Sequence, residues 1–282
     1  MTPSRLIDSP RFVRWGIAVD TAAEWRWLAL LVVALWPTWW WMAQRQFDGS
    51  DDPLGILALA ALGVLVWHQR KRLRAAPRLG LQALALCGAV LTTVLHTLLP
   101  DLVVALLGML SLAAGLLAFL PASVASAPVW GLAVLALPLL ASLQFYAGFP
   151  LRVLTAEISR WPLAMAHSVE RSGSSLVVDG QLILVDASCS GVQMVWLGYF
   201  TACAVALAAR RSNASFLLRL PLVGVLVLTG NVARNTLLVW AQAAGWPWGA
   251  FAHEVVGLTV LGMVCMAIGW IMGQPERGGP AR

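Results

Sequence analysis

Between Leu102 and Leu151 the chain contains no Asp, Glu, Lys or Arg. A single bilayer crossing needs only about 20 apolar residues, so a run more than twice that length must cross lipid, turn, and cross back. Pro121, Ser123, Ser126 and Pro128 provide the turn, and a helical hairpin follows. The rest of the chain is of the same kind. It is 60% hydrophobic and 11% charged, against about 45–50% and about 25% in an ordinary soluble domain. A water-soluble globule is excluded. The net charge of +6 would suggest nucleic acid in a soluble protein, but here the basic residues occupy short loops between apolar runs, which is a topology signal.

Largely uncharged segments of membrane-crossing length predict an all-α integral membrane protein of about eight transmembrane helices, near residues 27–43, 54–69, 79–99, 102–120, 128–149, 190–209, 216–241 and 252–273. No internal repeat is visible, so a single polytopic membrane domain over 1–282 is the natural count. Arg5, Arg11 and Arg14 precede the first span. Arg70, Lys71, Arg72, Arg74 and Arg78 join the second to the third, and Arg210, Arg211 and Arg219 join the sixth to the seventh. The positive-inside rule assigns these three segments and both termini to the cytoplasm, and the acidic Asp48, Asp51, Asp52 loop and Asp101 turn to the other side. The expectation is a multi-pass protein of the cell inner membrane. The first 24 residues lack a compact apolar segment with a small-residue cleavage site, so the first helix is expected to remain as the targeting signal. Trp39, Trp40, Trp41, Trp161, Trp246 and Trp248 cluster near outer helix ends, as an aromatic belt does.

The outer loop between helices 5 and 6 runs from Pro150 to Ser188. Its first half sets Leu151, Leu154, Ile158, Leu163 and Val169 among Arg152, Glu157, Arg160 and Glu170. That pattern predicts a short amphipathic helix on the membrane surface. The second half has two β-prone runs flanking Asp179-Gly180, a dipeptide suited to a tight β-hairpin turn. Such a hairpin delivers the polar cluster Asp186-Ala187-Ser188-Cys189-Ser190-Gly191 to the start of the sixth span.

An ionisable residue inside a membrane span is costly and marks function by default. Arg234 is such a residue, about two turns inside the seventh span, with Asn231 on its face and Asn235 beside it. His253 opens the eighth span, and Gly257 one turn later lets a neighbouring helix approach. His68, His96 and His167 read as background, His167 having no polar cluster of its own. Of the four cysteines, Cys87, Cys203 and Cys265 lie in apolar runs as packing residues, and no spacing suggests a disulfide or zinc site. Cys189, Arg234 and His253 share one level at the outer ends of consecutive helices. A nearby cation lowers a thiol's pKa, a histidine moves protons near neutral pH, and a guanidinium donates to an oxyanion. Together they suit cysteine acyl transfer. No metal or organic cofactor is called for. Gly191 would permit close backbone approach next to the thiol.

These residues resemble the exosortase/archaeosortase family of membrane transpeptidases. Ala187-Ser188-Cys189-Ser190-Gly191 is similar to its Ala-Cys-Ser-Gly signature with Ser188 inserted, Asn231-Val232-Ala233-Arg234 matches its Asn-x-x-Arg, and His253 with Gly257 follows in order. The resemblance covers about 180–260 well and the first 150 residues only as a generic bundle. It implies Cys189, Arg234 and His253 as catalytic residues, with Asn231 and Asn235 as candidate substrate contacts and the catalytic part within about 150–273. The implied substrates are secreted proteins ending in a membrane-anchored sorting tail of PEP-CTERM type, which Cys189 would process through a thioester before an amine acceptor or water releases the product. Three alternatives stay open: an endopeptidase using the same residues, a non-enzymatic transporter or assembly component for envelope polysaccharide export, and a structural membrane protein with an incidental cysteine. Against transport, no inverted repeat or pair of broken helices is evident.

Overall fold

The computed structural model describes residues 22–47, 53–183, 191–245 and 250–275. In chain order these form α1 (Ala22–Ala34), α2 (Trp36–Phe47), α3 (Gly55–Gln69), α4 (Leu79–Leu95), α5 (Asp101–Phe119), α6 (Ser126–Leu135) and α7 (Leu140–Leu163). Strands β1 (Val169–Ser172), β2 (Ser175–Val178) and β3 (Gln181–Ile183) follow, then α8 (Val192–Ala208), α9 (Asn213–Ala243) and α10 (Ala250–Gly273). Arg5, Arg11, Arg14, Asp48, Asp51, Asp52, Trp246, Trp248 and the cluster around Cys189 lie outside the described residues.

Apart from connecting turns, the described residues are helical except for one small sheet. By length and apolarity, three of the described helices can cross a membrane: α5, α9 and the His253–Gly273 part of α10. The bent pair α6 and α7 makes a fourth if it counts as one span, while α4 and α8 are apolar but shorter. The expected series of eight spans thus gives way to helices of more unequal length, and two of the expected spans are broken, which corrects the reading that no pair of broken helices is present.

The first break divides the expected span 27–43 into α1 and α2 at Leu35. Pro37 has no N–H for the carbonyl four residues back, and the Trp39 indole N–H donates at 2.7 Å to the Val32 carbonyl beside the gap. The second break is sharper. The expected helix 128–149 is interrupted at Ala136–Leu139, and α7 departs from α6 at 94°. Pro138 disfavours a helical Leu137 and removes one N–H from the ladder. The Leu135 carbonyl, freed at the end of α6, accepts the Trp196 indole N–H at 3.1 Å. Gly55 closes in from α3, where a Cβ would collide with the Ala136 carbonyl. The surface helix predicted to begin at Pro150 therefore begins at Leu140, with Pro150 inside it.

A second correction concerns the sheet. It has three strands in the order β1-β2-β3, antiparallel throughout, rather than two. Val169 and Glu170, expected on the amphipathic helix, belong to β1, because α7 stops at Leu163 and the next residues turn back to pair Val169 with Val178. Asp179 (φ +49°) and Gly180 (φ +82°) form the two-residue turn between β2 and β3. Both adopt the left-handed conformation that the favoured hairpin turns require.

The main core takes buried residues from α1 to α6 and from α8 to α10, with Trp196 fully buried in α8 and stacked on Phe200 at 5.3 Å. A smaller core of Ala156, Leu163, Leu176, Val178, Ile183 and Val239 fastens the sheet to α7 and to the far end of α9. The basic loops gather at the opposite end of the bundle and cap helices. Arg78 donates to the Leu120 carbonyl beyond α5 at 3.0 Å. Buried Arg211 donates to Met272 at 2.8 Å and to the Gln274 carbonyl, and Arg219 donates to Ile271 at 3.1 Å, all at the end of α10. A cation at a helix C-terminus meets the negative end of its dipole, so these arginines serve the packing as well as the charge asymmetry.

Candidate active site

At the end of the bundle that carries the sheet, α9 presents three polar residues within five positions, and they face two different partners. Asn231 and Asn235, one helical turn apart, are both 3% exposed and point at α7. The Asn231 amide donates to Thr155 Oγ1 at 2.9 Å, and the Asn235 amide to Ser159 Oγ at 3.1 Å. Ser159 in turn donates to the Val232 carbonyl at 3.4 Å. Thr155 and Ser159 are themselves fully buried and also one turn apart. Two i, i+4 pairs on adjacent helices thus form a ladder in which each amide meets a hydroxyl. A buried amide without a partner would cost about 1–3 kcal/mol, so the ladder resists rotation of α9 against α7.

Arg234 faces the other way, to α10. Its Nη2 lies 3.5 Å from His253 Nε2, the outer limit of a hydrogen bond. A guanidinium has only donors, so Nε2 can accept in this contact only while it carries no proton. The guanidinium also rests on Gly257: a Cβ there would lie 3.2 Å from Nε, 3.3 Å from Nη2 and 3.4 Å from Cζ. The glycine one turn after His253 makes the room that Arg234 fills: a methyl at 257 would shift the guanidinium by a few tenths of an ångström, and a large side chain would push it off α10.

The third strand of the site is the entry to α8. Gly191, its N-cap, has φ +82° and is buried against Asn231: a Cβ would come within 2.7 Å of Cγ and 2.8 Å of Nδ2. One asparagine therefore touches Thr155 on one side and the backbone at the head of α8 on the other. Cys189, with Ser188 and Ser190, lies outside the described residues. Of the three remaining cysteines, Cys203 is buried and Cys265 half-buried with the Thr201 hydroxyl 3.6 Å from its sulfur, as packing residues, whereas Cys87, also expected to pack, is exposed. Among the described residues no group of three His, Cys, Asp or Glu could hold a metal ion.

The structure brings Arg234 and His253 together, and sets Asn231 and Asn235 on the neighbouring face of α9. Sequence reasoning missed Thr155 and Ser159. Their spacing of four, matching that of Asn231 and Asn235, was the available signal. His167, read as having no polar cluster, also needs correction. Its Nδ1 lies 2.6 Å from Asp179 Oδ2, and Asp179 Oδ1 accepts the Ser168 amide at 2.9 Å. The turn residue chosen for its backbone conformation thereby doubles as the partner of a histidine twelve positions earlier. The His167 hydrogen bond first, and the Ser168 amide second, hold the Asp179 carboxyl below the usual carboxylate range. Glu157 of α7 ties the platform further, pairing with Arg160 and with Arg171 of β1, each at 2.7 Å.

The family model described as transmembrane exosortase matches residues 40–270. No curated protein and no solved structure matches the chain significantly.

Proposed function

The chain belongs to the transmembrane exosortase family, whose members are membrane transpeptidases, and from that premise we propose that it processes the C-terminal sorting tail of secreted proteins through a thioester on Cys189. The observation that carries the reading is the Arg234 guanidinium seated between His253 and Gly257, beside an asparagine that abuts Gly191. Two peptide units separate Cys189 from Gly191, so covalent reach keeps their Cα atoms within about 7.6 Å of each other. A cation, a histidine and a thiol are the parts acyl transfer needs.

The chemistry follows from those parts. His253 takes the proton of the Cys189 thiol, and the thiolate, favoured by the Arg234 charge, adds to the scissile carbonyl carbon. Arg234 donates to the oxyanion that forms. The C–N bond then breaks as His253 gives a proton to the leaving amine, and the secreted protein remains as a thioester. An acceptor amine or water, losing its proton to His253, adds to the thioester and expels the thiolate. Removing one oxyanion donor in comparable enzymes costs about 100- to 1,000-fold in rate.

The remainder of the reading concerns placement in the membrane. The arginine-capped end faces the cytoplasm by the positive-inside rule. Asp101, Glu157, Glu170, Asp179 and Glu254, which sit toward the other end, then face the periplasm with the site. The exposed Leu154, Ile158 and Trp161 of α7 and Met165 just beyond it meet lipid. The chain is one domain over 1–282, with its catalytic part in about 150–273. The substrates carry a PEP-CTERM-like motif, a membrane anchor and a basic cluster.

The test is co-expression with a secreted protein bearing such a tail, comparing the unmodified chain with Cys189→Ala, Arg234→Ala and His253→Ala at matched expression. Loss of processing in all three is expected, and the mass of the released end separates transpeptidation from hydrolysis. Full processing by Cys189→Ala would overturn the thiol mechanism and bring the transporter reading forward.

A further inference from the structure

Arg234 has one guanidinium to deliver, and its direction depends on the rotation of α9. The apolar contacts between helices in a membrane set that rotation weakly, because a slip of one face exchanges one set of aliphatic side chains for another at little cost. The hydroxyl–amide ladder between α7 and α9 is different. Its pairs, Thr155 with Asn231 and Ser159 with Asn235, are buried and 2.9 and 3.1 Å long. They are satisfied only in one register. With that register set, Arg234, 60° around the helix from Asn231 at 100° per residue, points at α10 and meets His253 and Gly257. The same asparagine side chain supports Gly191 at the head of α8. One ladder therefore governs both the cation and the segment that leads from Cys189.

We propose that Thr155 and Ser159 of α7 are positioning residues of the active site, acting through Asn231 and Asn235, which hold the site's geometry rather than contact substrate. The helix that carries them does so for a reason visible in the fold. After the bend at Pro138, α7 comes alongside α9 with Thr155 opposite Asn231 and Ser159 opposite Asn235, so two hydroxyls one turn apart meet two amides one turn apart at the level of the site. The proposal rests on the reading of Cys189 and Arg234 given above.

Reactivity of the thiol reports the geometry without a known substrate. The full-length protein in native membranes is treated with iodoacetamide between pH 5 and 9, and alkylation at Cys189 is followed peptide by peptide by mass spectrometry. Thr155→Val removes a hydroxyl at nearly constant volume, Ser159→Ala does so at the second rung, and Thr155→Ser restores the hydroxyl. Thr92→Val is the control, since the Thr92 hydroxyl is buried but donates to Gly88 within its own helix. Net loss of one hydrogen bond corresponds to a change of about threefold to tenfold. Cys189 alkylation at pH 7 is therefore expected to fall by that factor in Thr155→Val and Ser159→Ala, with the profile displaced to higher pH. In Thr155→Ser and Thr92→Val it should stay within about twofold of the parent.

Unmoved profiles in Thr155→Val and Ser159→Ala would overturn the proposal, as would an equal loss in Thr92→Val, which would mark a general packing effect. Arg234→Gln is the separate arm for the underlying reading. If it lowers Cys189 reactivity while the α7 variants do not, the positioning role fails and the catalytic reading stands. If Arg234→Gln leaves the profile unchanged, the catalytic reading itself fails.

Discussion

Replacing Gly191 with alanine tests the close approach at the head of α8, and the structure separates its cost into two parts. Gly191 has φ +82°, a left-handed conformation that costs a residue with a Cβ about 1–2 kcal/mol. The methyl would also sit 2.7 Å from Asn231 Cγ, about an ångström inside a normal carbon–carbon contact. Asn231 cannot yield freely, since its amide is committed to Thr155. Overpacking of this kind costs about 1–3 kcal/mol, so the total for Gly191→Ala is about 2–5 kcal/mol. Asn231→Ala in the same chain removes the clash and leaves the backbone strain. A double-mutant cycle is therefore expected to return a favourable coupling of about 1–3 kcal/mol, with the remaining 1–2 kcal/mol unrelieved. Reversible unfolding in mixed micelles, read by tryptophan fluorescence, measures each corner. Destabilisation below about 0.5 kcal/mol in Gly191→Ala would refute the left-handed conformation. A coupling near zero would refute the contact with Asn231.

The seat of Arg234 makes a graded prediction: Gly257→Ala, whose methyl asks the guanidinium to shift a few tenths of an ångström, should retain most processing, whereas Gly257→Leu should lose about 100-fold, the cost of misplacing a reacting group by an ångström. Equal activity in the two variants would contradict the packing of Arg234 on α10. The Asp179 turn predicts a pH dependence of known sign. Because the folded carboxyl is held below its ordinary value, its stabilisation is complete at and above about pH 4 and is lost as pH falls through the lowered value. Hydrogen exchange at the Ser168 amide, corrected for the intrinsic rate, should stay protected from neutral pH to about 4 and open below it. Opening that begins at pH 5–6 would show that the carboxylate is not the group responsible.

Much of this protein follows from local residue chemistry. Uncharged runs such as Leu102–Leu151 demand lipid as solvent wherever they end up. An arginine in mid-helix needs a polar partner, so Arg234 and the Cys189 cluster stand out before any fold is known. Asp179-Gly180 suits a left-handed two-residue turn whichever helices surround it. What the sequence left open depends on contacts distant along the chain. Pro138 and Pro150 are equally proline, yet α7 runs through Pro150 while the chain breaks between α6 and α7 at Pro138, where Trp196 from α8 takes up the freed Leu135 carbonyl. Val169 alternates as well with a helix as with a strand, and only the availability of Val178 as its partner makes it β. Asn231, Arg234 and Asn235 look like one polar patch in sequence. The structure divides them, because buried amides go to whatever hydroxyls the adjacent helix offers, and a guanidinium goes where a glycine leaves it space.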